Sequence, residues 1–303
     1  MAAFINVVLP ILVVVGAGYF LQRKRPVPKE GLSTALLYLF GPALVFSAIV
    51  HNPLTLADFG AMGGFSALFI VLAWLVTALL GKALRWSPEV STAVLLGVLL
   101  PNTGNFGASA ALFAWGDDGF QKAIVFMAMQ FAPASLVGIY ACARTSRGGT
   151  GGFRTLLRQP ILYAAIGAGL VRALGLGPDQ IPGVILKPID LLGEANVPVA
   201  LVLLGMNLAD MKLAAADRGP VMWGTVLKLV VIPALLAPFP ALVGTEEFLT
   251  KILILQAATP TAVNAVVYAS EFRVRPDLVS LLVVMTTIAS IATVTVVLGL
   301  LGV

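Results

Sequence analysis

One cysteine and one histidine occur in 303 residues, Cys142 and His51. Metal sites of the zinc type take such ligands three or four at a time, so none can be assembled here. A single cysteine also excludes an intrachain disulfide. A Cys–His nucleophile would need these two side chains to meet, yet they lie in different apolar runs. Charge is scarce as well: 11% of residues are charged, against about 25% in an average soluble domain. Nineteen basic and fourteen acidic residues cannot cover a soluble surface of this size. A phosphate-binding loop is missing, because Gly81-Lys82 lacks the upstream glycine and a following Ser or Thr. The net charge of +5 marks no nucleic-acid face, since the basic residues come in short bursts between apolar runs.

Apolar residues are abundant, at 59% against roughly 45–50% in soluble domains. The remaining home for that surface is lipid. A span needs about 20 mostly apolar residues. On that criterion ten are expected: 3–21, 31–50, 59–81, 90–115, 121–143, 157–174, 184–207, 219–243, 249–270 and 278–300. The expected fold is an all-α polytopic membrane protein with function inside the bundle. The first segment reads as a span and not a signal peptide, because Arg23, Lys24 and Arg25 follow it. Of the nineteen basic residues, fourteen fall in odd-numbered connections, four in even ones, and Lys228 within a span. Basic loops stay cytoplasmic, which predicts both termini outside.

Two landmarks repeat. Pro42-Ala43-Leu44-Val45-Phe46 is matched by Pro198-Val199-Ala200-Leu201-Val202, 156 residues on. Pro101-Asn102-Thr103-Gly104-Asn105 is matched by Pro260-Thr261-Ala262-Val263-Asn264, 159 residues on, both reading Pro-x-x-x-Asn. The spacing divides the chain five plus five: residues 1–145, a cytoplasmic Gly-rich linker at 146–155, and residues 156–303. An odd number of spans per half makes the repeat inverted, with the site expected at the repeat interface.

Pro101 and Gly104, and Pro260 in the ninth span, should break their helices, since proline removes a donor and glycine weakens a helix interior. Freed backbone groups in lipid cost several kcal/mol unless protein or a polar cavity satisfies them. Asn102, Thr103, Asn105 and Gln130 around the first break, and Gln256, Thr259, Thr261 and Asn264 around the second, offer that satisfaction. Half-helix N-termini also favour anions. One reading is therefore a carboxylate site of uncharged donors, with side-chain amides from Asn105 and Asn264. The other is two kinks whose polar residues close their own backbone.

Ionisable residues within spans are functional candidates. Asp190 and Glu194 share a helical face, and Lys228 is central in the eighth span. Either carboxylate could couple protons, with Lys228 as its partner or as substrate counter-ion. The plainer reading has Asp190 at the water interface and Lys228 snorkelling or held in a structural pair. His51 reads as an interfacial loop residue. Gly16, Gly18, Gly167 and Gly169 are expected to allow close helix approach.

The segments Leu100-Pro101-Asn102-Thr103-Gly104-Asn105-Phe106-Gly107 and Thr259-Pro260-Thr261-Ala262-Val263-Asn264, with the Pro42 and Pro198 spans, resemble the auxin efflux carrier family across essentially the whole chain. The resemblance implies ten transmembrane helices in a five-plus-five inverted repeat, with helices 4 and 9 broken and crossing. It also implies an elevator-like alternation in a bacterial inner membrane, with substrate at Pro101, Asn105, Pro260 and Asn264. Substrates in bacterial relatives include malate and malonate, plant members export auxin, and homodimers occur among the plant proteins. Bile-acid symporters, more distantly similar, use sodium.

The expected function is thus a secondary carrier of a small organic anion, with proton coupling or uniport ahead of sodium and with no cofactor. A sodium-coupled symporter of the bile-acid type is the alternative. A channel would lack saturation. A membrane-embedded enzyme would have only Glu194 and Lys228 to work with.

Overall fold

The computed structural model describes residues 3–51, 55–146, 159–210 and 218–303. All regular elements among them are helical: α1 Phe4–Lys24, α2 Glu30–His51, α3 Leu56–Ala83, α4 Pro88–Leu99, α5 Thr103–Thr145, α6 Pro160–Ala173, α7 Gly183–Asp210, α8 Arg218–Leu242, α9 Glu247–Ala257, α10 Asn264–Glu271 and α11 Pro276–Leu300. Apart from Ser146, the linker expected at 146–155 lies outside the described residues.

Seven helices, α1, α2, α3, α5, α7, α8 and α11, are long and apolar enough to cross a membrane, where the sequence reading had ten spans. The difference has identifiable causes. The expected fourth span stops as a helix at Leu99 and resumes at Thr103, leaving α4 with only 12 residues. Its second part then runs on into the fifth as α5, bent at Gly116, whose φ of 68° and ψ of −159° lie outside helical geometry. A side chain there would be strained, whereas glycine adopts that conformation freely. The expected ninth span is likewise divided into α9 and α10, of 11 and 8 residues. The sixth, α6, has 14.

Three of the prolines leave the same local signature. Three π-helical turns, Phe4–Val8, Leu36–Phe40 and Leu227–Val231, each end two residues before a proline: Pro10, Pro42 and Pro233. A proline cannot donate to the carbonyl four residues back, and its ring pushes against it. The helix answers by widening. In each case the residue just before the proline donates five residues back, Leu9 to Phe4, Gly41 to Leu36 and Ile232 to Leu227. Polar caps appear at helix starts: Thr55 and Asp58 form a reciprocal capping box on α3, and the Ser87 hydroxyl accepts from Val90 N on α4.

Two groups of helices result. In one, α1 packs along the second part of α7, while α2 packs on α6 and on the first part of α7. Gly18 and Gly205 make the α1–α7 approach possible, because a Cβ on either would run into the backbone of Val202 or Val15. Of the four glycines singled out from sequence, only Gly18 does this; Gly16, Gly167 and Gly169 face open space. At the far end of the α1–α7 contact Asp210 accepts from Gln22 Nε2 at 2.8 Å and pairs with Lys29 at 2.8 Å. The other group packs α3, α4, α8 and α11 together with α5, α9 and α10. Phe65 is central to it, edge-on to Phe126 and Phe239 at 5.8 and 6.1 Å between ring centres.

Candidate functional site

The two breaks meet. Pro101 and Thr261 form an antiparallel bridge in which Asn102 N donates to Pro260 O at 2.7 Å and Ala262 N donates to Leu100 O at 2.8 Å. Backbone groups that would be stranded in lipid at one break are therefore satisfied by the other.

Threonine hydroxyls complete the repair. Pro101 would, as any other residue, have donated to Gly97 O; the Thr261 hydroxyl donates there instead, at 2.7 Å. Pro260 would have donated to Gln256 O, which accepts from the Thr259 hydroxyl at 2.8 Å. The Thr261 N–H goes to Thr286 Oγ1 at 3.1 Å. Each proline thus leaves one carbonyl without its usual donor four residues on, and each of these carbonyls takes a threonine hydroxyl. Both threonines are fully buried.

Beside the bridge lies a cavity of about 370 Å³, between the two groups of helices. That is at the small end of ligand cavities, which run about 300–1,000 Å³. One wall is Pro101, Asn102, Thr103, Gly104, Asn105 and Gln130, with Ala262, Val263 and Asn264 from the second break. The opposite wall comes from α2, α7 and the start of α6, and brings Ser33, Asn196, Asn207 and Gln159. The first turns of α5 and α10, where backbone N–H groups lack helical partners, border the space. Among the described residues no Asp, Glu, Lys, Arg or His lines it. Seven side-chain amides do: Asn102, Asn105, Gln130, Gln159, Asn196, Asn207 and Asn264. Gln130 is buried with both amide atoms unpartnered. None of the other six makes a side-chain hydrogen bond to another described residue.

The residues singled out from sequence therefore divide. Pro101, Asn102, Thr103, Gly104, Asn105 and Asn264 line the cavity; Pro260, Gln256, Thr259 and Thr261 do not. Gln256 packs against Gly107, where a Cβ would run into its Oε1. Asn196 and Asn207 went unread in the sequence, although they stand three helical turns apart on α7, with Asn196 two residues before Pro198.

The ionisable candidates lie elsewhere. Glu194 is exposed, at the point where α7 changes from its first helical part to its second. Lys228 is fully buried, donating to Ala257 O at 2.8 Å with its ammonium 5.4 Å from the Phe69 ring centre. The two do not pair. Asp190 accepts from the Ser47 hydroxyl at 2.6 Å, with His51 Nε2 at 3.8 Å, and so ties α7 to α2. His51 is the last helical residue of α2, where a loop position was expected, and its Nδ1 lies 3.0 Å from Ser47 O.

The chain is similar, along nearly its whole length, to known transporters. An uncharacterized transporter of Methanocaldococcus jannaschii is 24% identical over 296 residues, 94% of this chain and 95% of that one. A Rhizobium meliloti protein named "Putative malonate transporter" is 28% identical over 316 aligned positions, 97% of this chain and 95% of its own. Auxin efflux carrier component 1 of Arabidopsis thaliana is 27% identical over 134 residues, 44% of this chain and 22% of the plant protein. These relatives are transporters, not enzymes. The profile of the family described as membrane transport protein, which includes the auxin efflux carriers, matches residues 3–140 and 152–298, and the chain belongs to that family as a multi-pass membrane transporter.

Proposed function

We propose that this transporter carries a small organic anion, a carboxylate of the size of malonate or malate, bound in the cavity beside the paired breaks. The observation that carries the reading is the set of seven amide side chains around one cavity that, among the described residues, holds no charged group and gives these amides no side-chain partner. Asn102, Gln130 and Asn196 among them are buried, and buried polar groups are nearly always hydrogen-bonded. Here the missing partner is a ligand rich in acceptors, which the amide N–H groups and the first turns of α5 and α10 can surround. The likeness to a protein named for malonate agrees with that size and chemistry.

The architecture we infer is ten passes in two inverted halves, with α4 and the first limb of α5 as the fourth and α9 with α10 as the ninth, crossing at the bridge. One group of helices then serves as scaffold and the other moves by an elevator-type motion, exposing the cavity to alternate sides. Among the described residues the cavity lining offers no carboxylate for sodium, and its one titratable side chain is the Tyr268 phenol, which donates to Ser135 Oγ at 3.2 Å. We therefore favour uniport or exchange over coupling.

The test is a concentration jump of malonate, malate, pyruvate and indole-3-acetate on proteoliposomes adsorbed to a solid-supported membrane, in sodium or in choline. A saturating current with malonate or malate, equal in both salts, is the expected result. A current that appears only in sodium would replace this reading with a symporter. Currents with indole-3-acetate alone would overturn the assignment of size.

A further inference from the structure

The carbonyls at the end of α9 are not all treated alike. Gln256 O takes a neutral hydroxyl, from Thr259. Ala257 O would ordinarily accept from Thr261 N, four residues on, but that N–H is committed to Thr286. Its donor is instead the ammonium of Lys228, reaching from α8. On its other side the ammonium faces the ring of Phe69, on α3. Among the described residues no carboxylate pairs with it.

A cation buried in a span is expensive unless fixed negative potential surrounds it. The C-terminal end of a helix supplies such potential through its unsatisfied carbonyls, and an aromatic face adds to it. Both converge on this nitrogen. Among the described residues no cation reaches the other break: there Gly97 O takes the Thr261 hydroxyl and Leu100 O the Ala262 N–H.

We propose that the Lys228 ammonium is a built-in monovalent cation seated at the end of α9, in the place a free cation would otherwise take, and that it holds the second break in its bridged form. Lys228 is then a positioning residue. It touches no cavity atom, but fixes the segment from which Ala262, Val263 and Asn264 reach the cavity. It also places an ammonium beside a site otherwise built of neutral groups.

The test uses the full chain purified in detergent and reads backbone hydrogen exchange across 258–264, together with Tm. Lys228→Met keeps most of the side-chain volume without the charge. Lys228→Gln keeps a neutral donor. Both should speed exchange across 258–264 about tenfold, equivalent to about 1.4 kcal/mol, while exchange in α1 and α7 stays as in the unaltered chain. In Lys228→Ala, which leaves a vacant space, ethylammonium chloride should restore slow exchange saturably, and choline chloride at equal ionic strength should not. Slow exchange retained in Lys228→Met or Lys228→Gln would overturn the proposal, as would equal rescue by both salts or by neither. None of these readouts depends on a substrate, so they stand or fall apart from the transport reading.

Discussion

Asn102 donates its backbone N–H to the carbonyl of Pro260 at 2.7 Å, joining two helix breaks 158 residues apart in the chain. Around that bond, each proline's lost donor is replaced by a threonine hydroxyl, Thr261 for Pro101 and Thr259 for Pro260. Thr261→Val, close in volume, should therefore leave Gly97 O buried without a partner. The expected loss is about 1–3 kcal/mol, the cost of an unsatisfied buried group. Thermal unfolding followed by tryptophan fluorescence measures it, and an unchanged Tm would remove the repair role.

The cavity amides should matter to ligand and not to fold. Asn105→Ala and Asn264→Ala are each expected to raise the half-saturating malonate concentration about 5- to 150-fold, matching about 1–3 kcal/mol for a hydrogen bond to a charged group. Asn207→Ala tests the opposite wall in the same way. Solid-supported membrane currents give the concentration dependence, and unaltered half-saturation in all three variants would move the site.

Close approach of α1 and α7 depends on two glycines and not on their neighbours. Gly205→Leu should prevent that packing, since even a Cβ there meets the backbone of Val15. We expect loss of a monodisperse species in size-exclusion chromatography. Gly16→Ala, on the same helix as Gly18 but facing open space, should keep or slightly raise Tm, because alanine is the better helix former by roughly 1 kcal/mol. Equal behaviour of the two variants would contradict the packing argument.

Glu194 stands exposed and outside the cavity lining. Glu194→Gln should accordingly leave the pH dependence of the malonate current unchanged. A flattened profile in that variant would restore it as a coupling group.

Much of this was legible in the residues. Pro101 and Pro260, each four residues before an asparagine, marked the two breaks, and composition alone placed them in a membrane. What the sequence could not separate was the direction of a polar side chain. Thr261 and Asn105 look alike in a string, as polar residues beside a helix-breaking proline. Yet one donates to a carbonyl on α4 and the other lines the cavity. Asn196 and Asn207 were missed for the same reason, since their value depends on the cavity they face across a distant pair of helices. Spans counted from composition and helices counted from the backbone differ where a helix is broken: the apolar run 90–115 is one stretch by length, while the helix stops at Leu99 and resumes at Thr103.

The bridge between Pro101 and Thr261 also has a mechanical side. Two antiparallel backbone bonds act as a stitch between distant stretches of chain, and neither stretch can slide along the other without breaking both. Any displacement of α4 is transmitted to the segment after α9, and the reverse holds equally. If the helices move as proposed, the walls that Asn105 and Asn264 contribute travel as one piece, so a molecule held against them would keep these two neighbours from the start of a stroke to its end.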